Sequence, residues 1–80
     1  MKVCVFGAGA FGGYLAARLL QATPHEISVV ARGEQLRAIR SQGLHLLTPS
    51  EDFVVHPHAA TDRAQDLPPQ DLVLVTLKAH

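Results

Sequence analysis

The sequence predicts an α/β domain: a parallel sheet with flanking helices. Three observations carry this. Short, β-branched apolar runs (KVCVF, ISVVA, DLVLVTL) are interspersed with segments of helical periodicity. The connections among the first four elements are short, so successive strands run the same way through right-handed crossovers. Finally, four glycines (Gly7, Gly9, Gly12 and Gly13) crowd the junction between the first run and the first periodic segment. Glycine is unfavourable in a strand and in a helix alike, so this junction makes a special demand on the backbone.

The elements follow in order. Lys2 to Phe6 is apolar almost throughout, which suits a strand buried on both faces. Ala10 to Ala22 reads as a helix, with Gly12, Leu15, Ala16, Leu19 and Ala22 on its inner face and Pro24 beyond its end. Ile27 to Ala31 is a second buried strand. Gly33 to Gln42 is a short helix with Leu36 and Ile39 inward, stopped by Gly43. Leu44–Leu47 and Phe53–His56 form a hairpin around a polar turn that includes Glu51 and Asp52. The stretch 58–62 offers a third sheet strand, Arg63–Leu67 one helical turn, and Asp71–Leu77 a last strand.

Composition narrows the function. The 80 residues suffice for one small domain, and 48% of them are hydrophobic. Seven basic residues balance seven acidic ones, which gives no electrostatic case for nucleic acid or an anionic membrane surface. The single cysteine, Cys4, forms no internal disulfide and reads as a small buried apolar residue. The start lacks a signal-peptide pattern, and no apolar run reaches the ~18 residues of a membrane span. The expectation is a cytoplasmic protein.

The glycine junction contains Gly7-Ala8-Gly9-Ala10-Phe11-Gly12, the pattern G-x-G-x-x-G. Its setting between a strand and a helix gives each glycine a task. Gly7 permits the turn out of the strand, Gly9 lets a pyrophosphate approach the backbone, and Gly12 lets helix and strand pack closely. The helix start adds unpaired N–H groups and a partial positive charge. The fold is therefore a Rossmann-like parallel sheet with flanking helices. The absence of a GK[ST] sequence argues against a mononucleotide P-loop, and the bland alternative is a glycine turn that binds nothing.

An acid about twenty residues further on would hold a free ribose 2′-hydroxyl. That place carries Arg32 instead, after Val29-Val30-Ala31. A guanidinium suits a 2′-phosphate and a carboxylate repels it, so the predicted cofactor is NADP rather than NAD. The competing account is a solvated arginine at a strand end. Arg37 and Arg40 add positive potential or simply face solvent.

KVCVFGAGAFGGYLA, VVARGEQLRAIRSQGLHL and DLVLVTLKAH together resemble the N-terminal domain of ketopantoate reductase (2-dehydropantoate 2-reductase) along the whole chain. The second and third segments are the more specific. The resemblance implies NADPH-dependent reduction of 2-dehydropantoate to pantoate, a step toward pantothenate and coenzyme A. It places the pyrophosphate at Gly7 to Gly12, the 2′-phosphate at Arg32, and a lysine near the active-site mouth at Lys78. Family members run to roughly three hundred residues; their general-acid lysine and keto-acid-binding groups lie beyond residue 80, as does an asparagine near the nicotinamide. The chain therefore reads as the cofactor-binding portion of such an enzyme, inactive alone and prone to self-association through the edge or uncovered apolar faces left by its last strand. Alternatives are a reductase for another 2-keto acid, a non-catalytic NAD(P)-sensing module, or a flavin domain. The latter two would be expected to carry an acid where Arg32 stands.

Other residues carry less. His56 and His58 lack the cysteines or carboxylates that complete a metal set. His25 and His45 have no evident partner, His80 ends the chain beside the presumed ligand face, and Gly13 has no assigned role. Thr76 either caps the cofactor crevice or packs in the sheet.

Overall fold

A computed structural model describes residues 1–7 and 10–76, with Ala10 and Phe11 described by backbone alone. The elements are β1 (Lys2–Phe6), α1 (Ala10–Ala22), β2 (Glu26–Val30), α2 (Gly33–Gln42), β3 (Leu44–Leu47), β4 (Asp52–Val55), β5 (Ala59–Thr61), a 3₁₀ turn (Ala64–Asp66) and β6 (Leu72–Val75). Four strands form a parallel sheet in the order β5-β2-β1-β6, and β3 and β4 form a separate antiparallel pair. This is the Rossmann-like arrangement that the alternation of elements predicts.

Alternation along the strands sorts the core. Val3 and Val5 of β1 pair with Ile27 and Val29 of β2. These four join Ala16 and Ala17 of α1, Leu36 and Ile39 of α2, and Leu44 and Leu46 of β3 in one apolar cluster. Cys4 and Ser28 point to the opposite face and are also buried, as a two-sided parallel sheet requires. Burial pushes the Cys4 thiol above its usual range, which disfavours the reactive thiolate.

Several boundaries differ from expectation, each because of a pairing or packing contact. β2 starts at Glu26, whose N–H donates to the Met1 carbonyl (3.1 Å), extending the ladder beyond the apolar run. Ala31 is buried but lies past the strand, its N–H donating to Thr61. Asp52 opens β4 opposite Leu47 rather than sitting in the turn, while Thr48 and Glu51 close that turn through backbone hydrogen bonds in both directions. The inner stripe of α1 is centred on Gly12, Ala16 and Leu20, with Ala17 also buried. Ala22, expected inward, is exposed. An almost wholly apolar helix marks its buried side poorly.

β6 is an edge strand among the described residues, paired only with β1, and it exposes Leu72, Val73 and Val75. Its start is tied down at Asp71, whose N–H donates to the Lys2 carbonyl and whose carboxylate accepts the Lys2 N–H (2.7 Å). Leu77, the expected last residue of this strand, lies outside the described residues.

Candidate functional site

The site is the place where β1 ends and α1 begins. Gly7 leaves β1 with φ +93°, a conformation that L side chains rarely adopt. Its N–H donates to the Val30 carbonyl at the end of β2 (2.9 Å), and its carbonyl accepts from the Thr76 hydroxyl at the end of β6. The chain returns as α1 from Ala10. A Cβ placed on Gly12 would overlap the Gly7 carbonyl and lie 2.5 Å from the Thr76 Oγ1. Gly7 thus serves the turn and Gly12 the close approach of helix to strand, the two tasks the motif predicts. Ala8 and Gly9 lie outside the described residues, so the predicted approach of a pyrophosphate at Gly9 rests on sequence. Ala10 and Phe11 form the first positions of α1.

The Gly7–Val30 hydrogen bond sets this elbow directly beside the carboxyl end of β2. Two residues further on, Arg32 precedes α2 in extended conformation (φ −130°, ψ 156°), exposed. Among the described residues its guanidinium has neither an ion pair nor a hydrogen bond. The neighbouring arginines are engaged. Arg37 pairs with Glu34 at 3.2 Å, and the Arg40 Nε donates to the Ala60 carbonyl at 3.0 Å. The structure therefore brings together Gly7, Gly12 and Arg32 at the carboxyl ends of adjacent strands, where open parallel sheets hold their ligands. Lys78 and His80 lie outside the described residues.

The opposite end of the sheet is different in kind. It carries a polar depression of about 350 Å³ lined by Met1, Lys2, Pro24, Glu26 and Asp71. Three of the described histidines are engaged by other partners. His25 meets the Met1 amino group (3.1 Å), His45 contacts Asp52 (2.5 Å), and His58 faces Glu26 at 3.9 Å. His25 and His45 thus do have partners, in strand and terminus neighbours that spacing does not reveal. Among the described residues, no three His, Cys, Asp or Glu side chains gather into a metal-binding group, and no helix is long and apolar enough to cross a membrane.

One polar device escaped sequence reasoning. Arg18 on α1 grips Glu51 in the hairpin turn through two hydrogen bonds (2.9 and 2.6 Å) and lies over the Tyr14 ring, whose hydroxyl accepts from Arg18 Nε. The pairing raises the Arg18 pKa and holds the Glu51 carboxyl below its usual value, chiefly through these hydrogen bonds. It braces the hairpin against α1. No local signal links residues this far apart in the chain.

Sheet order, elbow and first helix define the class: a Rossmann-like α/β domain. The chain matches the family model described as "Ketopantoate reductase PanE/ApbA" over residues 3–80. It belongs to the ketopantoate reductase family. It is 48% identical over 80 residues to a 2-dehydropantoate 2-reductase from Mesorhizobium japonicum, covering all of this chain and 24% of that protein. It is 36% identical over 81 residues to the enzyme of the same name from Bacillus subtilis, covering all of this chain and 26% of that one. The crystal structure of 2-dehydropantoate 2-reductase from Porphyromonas gingivalis W83 superposes with a TM-score of 0.83 at 38% identity, over the whole of this chain and 30% of that one. The chain thus spans about a quarter of the length of these curated relatives.

Proposed function

We propose that the chain binds NADP(H) across the elbow and serves an oxidoreductase that reduces 2-dehydropantoate to pantoate in the cytoplasm. One observation carries this reading: the turn at the end of β1, whose Gly7 and Gly12 admit no side chain, is bonded to the end of β2 two residues before exposed Arg32, whose guanidinium has no ion pair or hydrogen bond among the described residues. These residues fit the cofactor. Gly7 to Gly12 and the first N–H groups of α1 would hold the diphosphate, and Arg32 would hold the 2′-phosphate. Lys78 would stand near the reacting end. When bound, the nicotinamide supplies the hydride. The protein must also orient the keto acid and deliver a proton. We assign both tasks to residues outside 1–80, and residues 1–80 themselves to the N-terminal portion of an NADP-binding domain. The polypeptide 1–80 is expected to bind cofactor without turning over 2-dehydropantoate.

The test is Arg32→Ala, read by the affinities for NADP(H) and NAD(H). The expected loss is about 1–3 kcal/mol for NADP(H), the size of a charge-assisted contact, with little change for NAD(H). Equal losses would show that Arg32 does not read the 2′-phosphate. A wild-type preference for NAD(H) would favour a sensing module instead.

We further propose that polypeptide 1–80 self-associates through β6. The support is its edge position and the exposure of Leu72, Val73 and Val75. Sedimentation is expected to show concentration-dependent association that Val75→Lys weakens; a clean wild-type monomer at high concentration would rule this out.

A further inference from the structure

We propose that Thr76 is a positioning residue for the glycine turn, its hydroxyl fixing the peptide that the dinucleotide approaches. The inference rests on the cofactor reading above and deepens it. Thr76 addresses the end of β1 with two donors. Its backbone N–H donates to the Phe6 carbonyl (2.9 Å), continuing the sheet ladder. Its hydroxyl donates to the Gly7 carbonyl and stands 3.2 Å from the Phe6 carbonyl. The ladder bond is available to any residue here except proline. The hydroxyl bond is not.

The hydroxyl matters because of what else Gly7 does. Its N–H is already tied to Val30 in β2. With the carbonyl tied to Thr76, just past β6, Gly7 is fastened on both sides, at a φ that its own sterics do not favour over others. The same carbonyl is the surface on which Gly12 packs, and the Thr76 Oγ1 completes that contact. One hydroxyl therefore sets both the peptide plane leaving Gly7 and the seat of the first turn of α1. Without it, the Gly7 carbonyl can rotate away, and the turn loses a single orientation before any ligand arrives.

This separates Thr76 from Arg32. A residue that shapes the diphosphate seat affects NADP(H) and NAD(H) alike, because both carry that group. Thr76→Val keeps the side-chain shape and removes the donor; Thr76→Ser keeps the donor. Affinities for both cofactors and amide hydrogen exchange at Gly7 are measured on all three chains. The expected result for valine is a five- to tenfold loss for both cofactors, about one net hydrogen bond. Gly7 exchange accelerates by a similar factor while Ile27 and Val29 stay protected, and serine restores both readouts to within about twofold. Should the valine methyl group crowd the Gly7 carbonyl and prevent folding, Thr76→Ala against Thr76→Ser asks the same question. Wild-type affinity with unchanged Gly7 exchange in the valine or alanine chain overturns the proposal. So does a uniform rise in exchange across β1 and β2, which marks general destabilisation. If the wild-type chain binds neither dinucleotide, the cofactor reading alone fails, and Gly7 exchange still decides whether Thr76 holds the turn.

Discussion

Gly12 and Gly43 are two joints at which an added carbon atom has no room, and they differ in what excludes it. At Gly12 the obstruction is the Gly7 carbonyl and the Thr76 hydroxyl, inside a strand-to-helix elbow. At Gly43 it is the Val55 carbonyl (2.7 Å) and the His56 imidazole, where α2 hands over to β3. Gly43 also combines φ 83° with ψ −167°, a region essentially reserved for glycine, and its N–H closes α2 onto the Ile39 carbonyl. Both joints thus exclude a side chain on steric grounds. What distinguishes them is their surroundings. Gly12 stands at the carboxyl ends of parallel strands, against a Gly7 that is bonded to Val30 two residues before Arg32, whereas Gly43 is walled in by the hairpin. An obligatory glycine thus reports a backbone constraint, and only its neighbourhood indicates a ligand.

Three substitutions sharpen or break this contrast. The largest effect is expected for Gly12→Ala. The new methyl group meets backbone that cannot yield without moving β1 or α1, so stability falls by roughly 3 kcal/mol or more, as in severe overpacking. Dinucleotide affinity is lost with it; urea unfolding and cofactor titration read the two. Gly43→Ala comes next, at about 1–3 kcal/mol from its backbone conformation, before any contribution from the contact. Here the folded fraction is expected to bind NADP(H) as the wild type does. An affinity loss matching that of Gly12→Ala would mean the two joints are mechanically one, and the contrast would fail. The smallest effect is expected for Glu51→Gln, which releases the hairpin brace without touching either glycine. Arg18 holds the Glu51 pKa below its ordinary 4.5, so the pair contributes fully above that pH. Its contribution fades as the pH falls through the depressed value. Unfolding curves of wild type and variant should therefore differ slightly near neutrality and converge in acid. A difference that widens on acidification would contradict the sign.

Much of this was legible in the sequence, for identifiable reasons. β1, α1, α2 and β3 have the expected bounds, because apolar runs and their glycine or proline stops are local signals. The elbow was legible for the same reason, since Gly7 and Gly12 lie within one short segment. What escaped was set by partners distant in the chain. Glu26 belongs to a strand only because Met1 and Lys2 lie alongside it. His45 has a partner only because β3 and β4 pair in this register. The exposure of Ala22 follows from which flank of α1 meets the sheet. Thr76 had two readings in the sequence. The structure favours a third, because the ends of β1 and β6 meet there.

The sheet order has a kinetic consequence. Among the described residues β1 sits between β2 and β6, and Val3 pairs with Leu72, far along the chain. During synthesis β1 gains its β2 neighbour early but waits for every element between β2 and β6 before its other side is covered. Closing so long a loop is entropically costly and slows folding. Nascent chains halted before residue 72 would accordingly present one bare flank of β1 to chaperones.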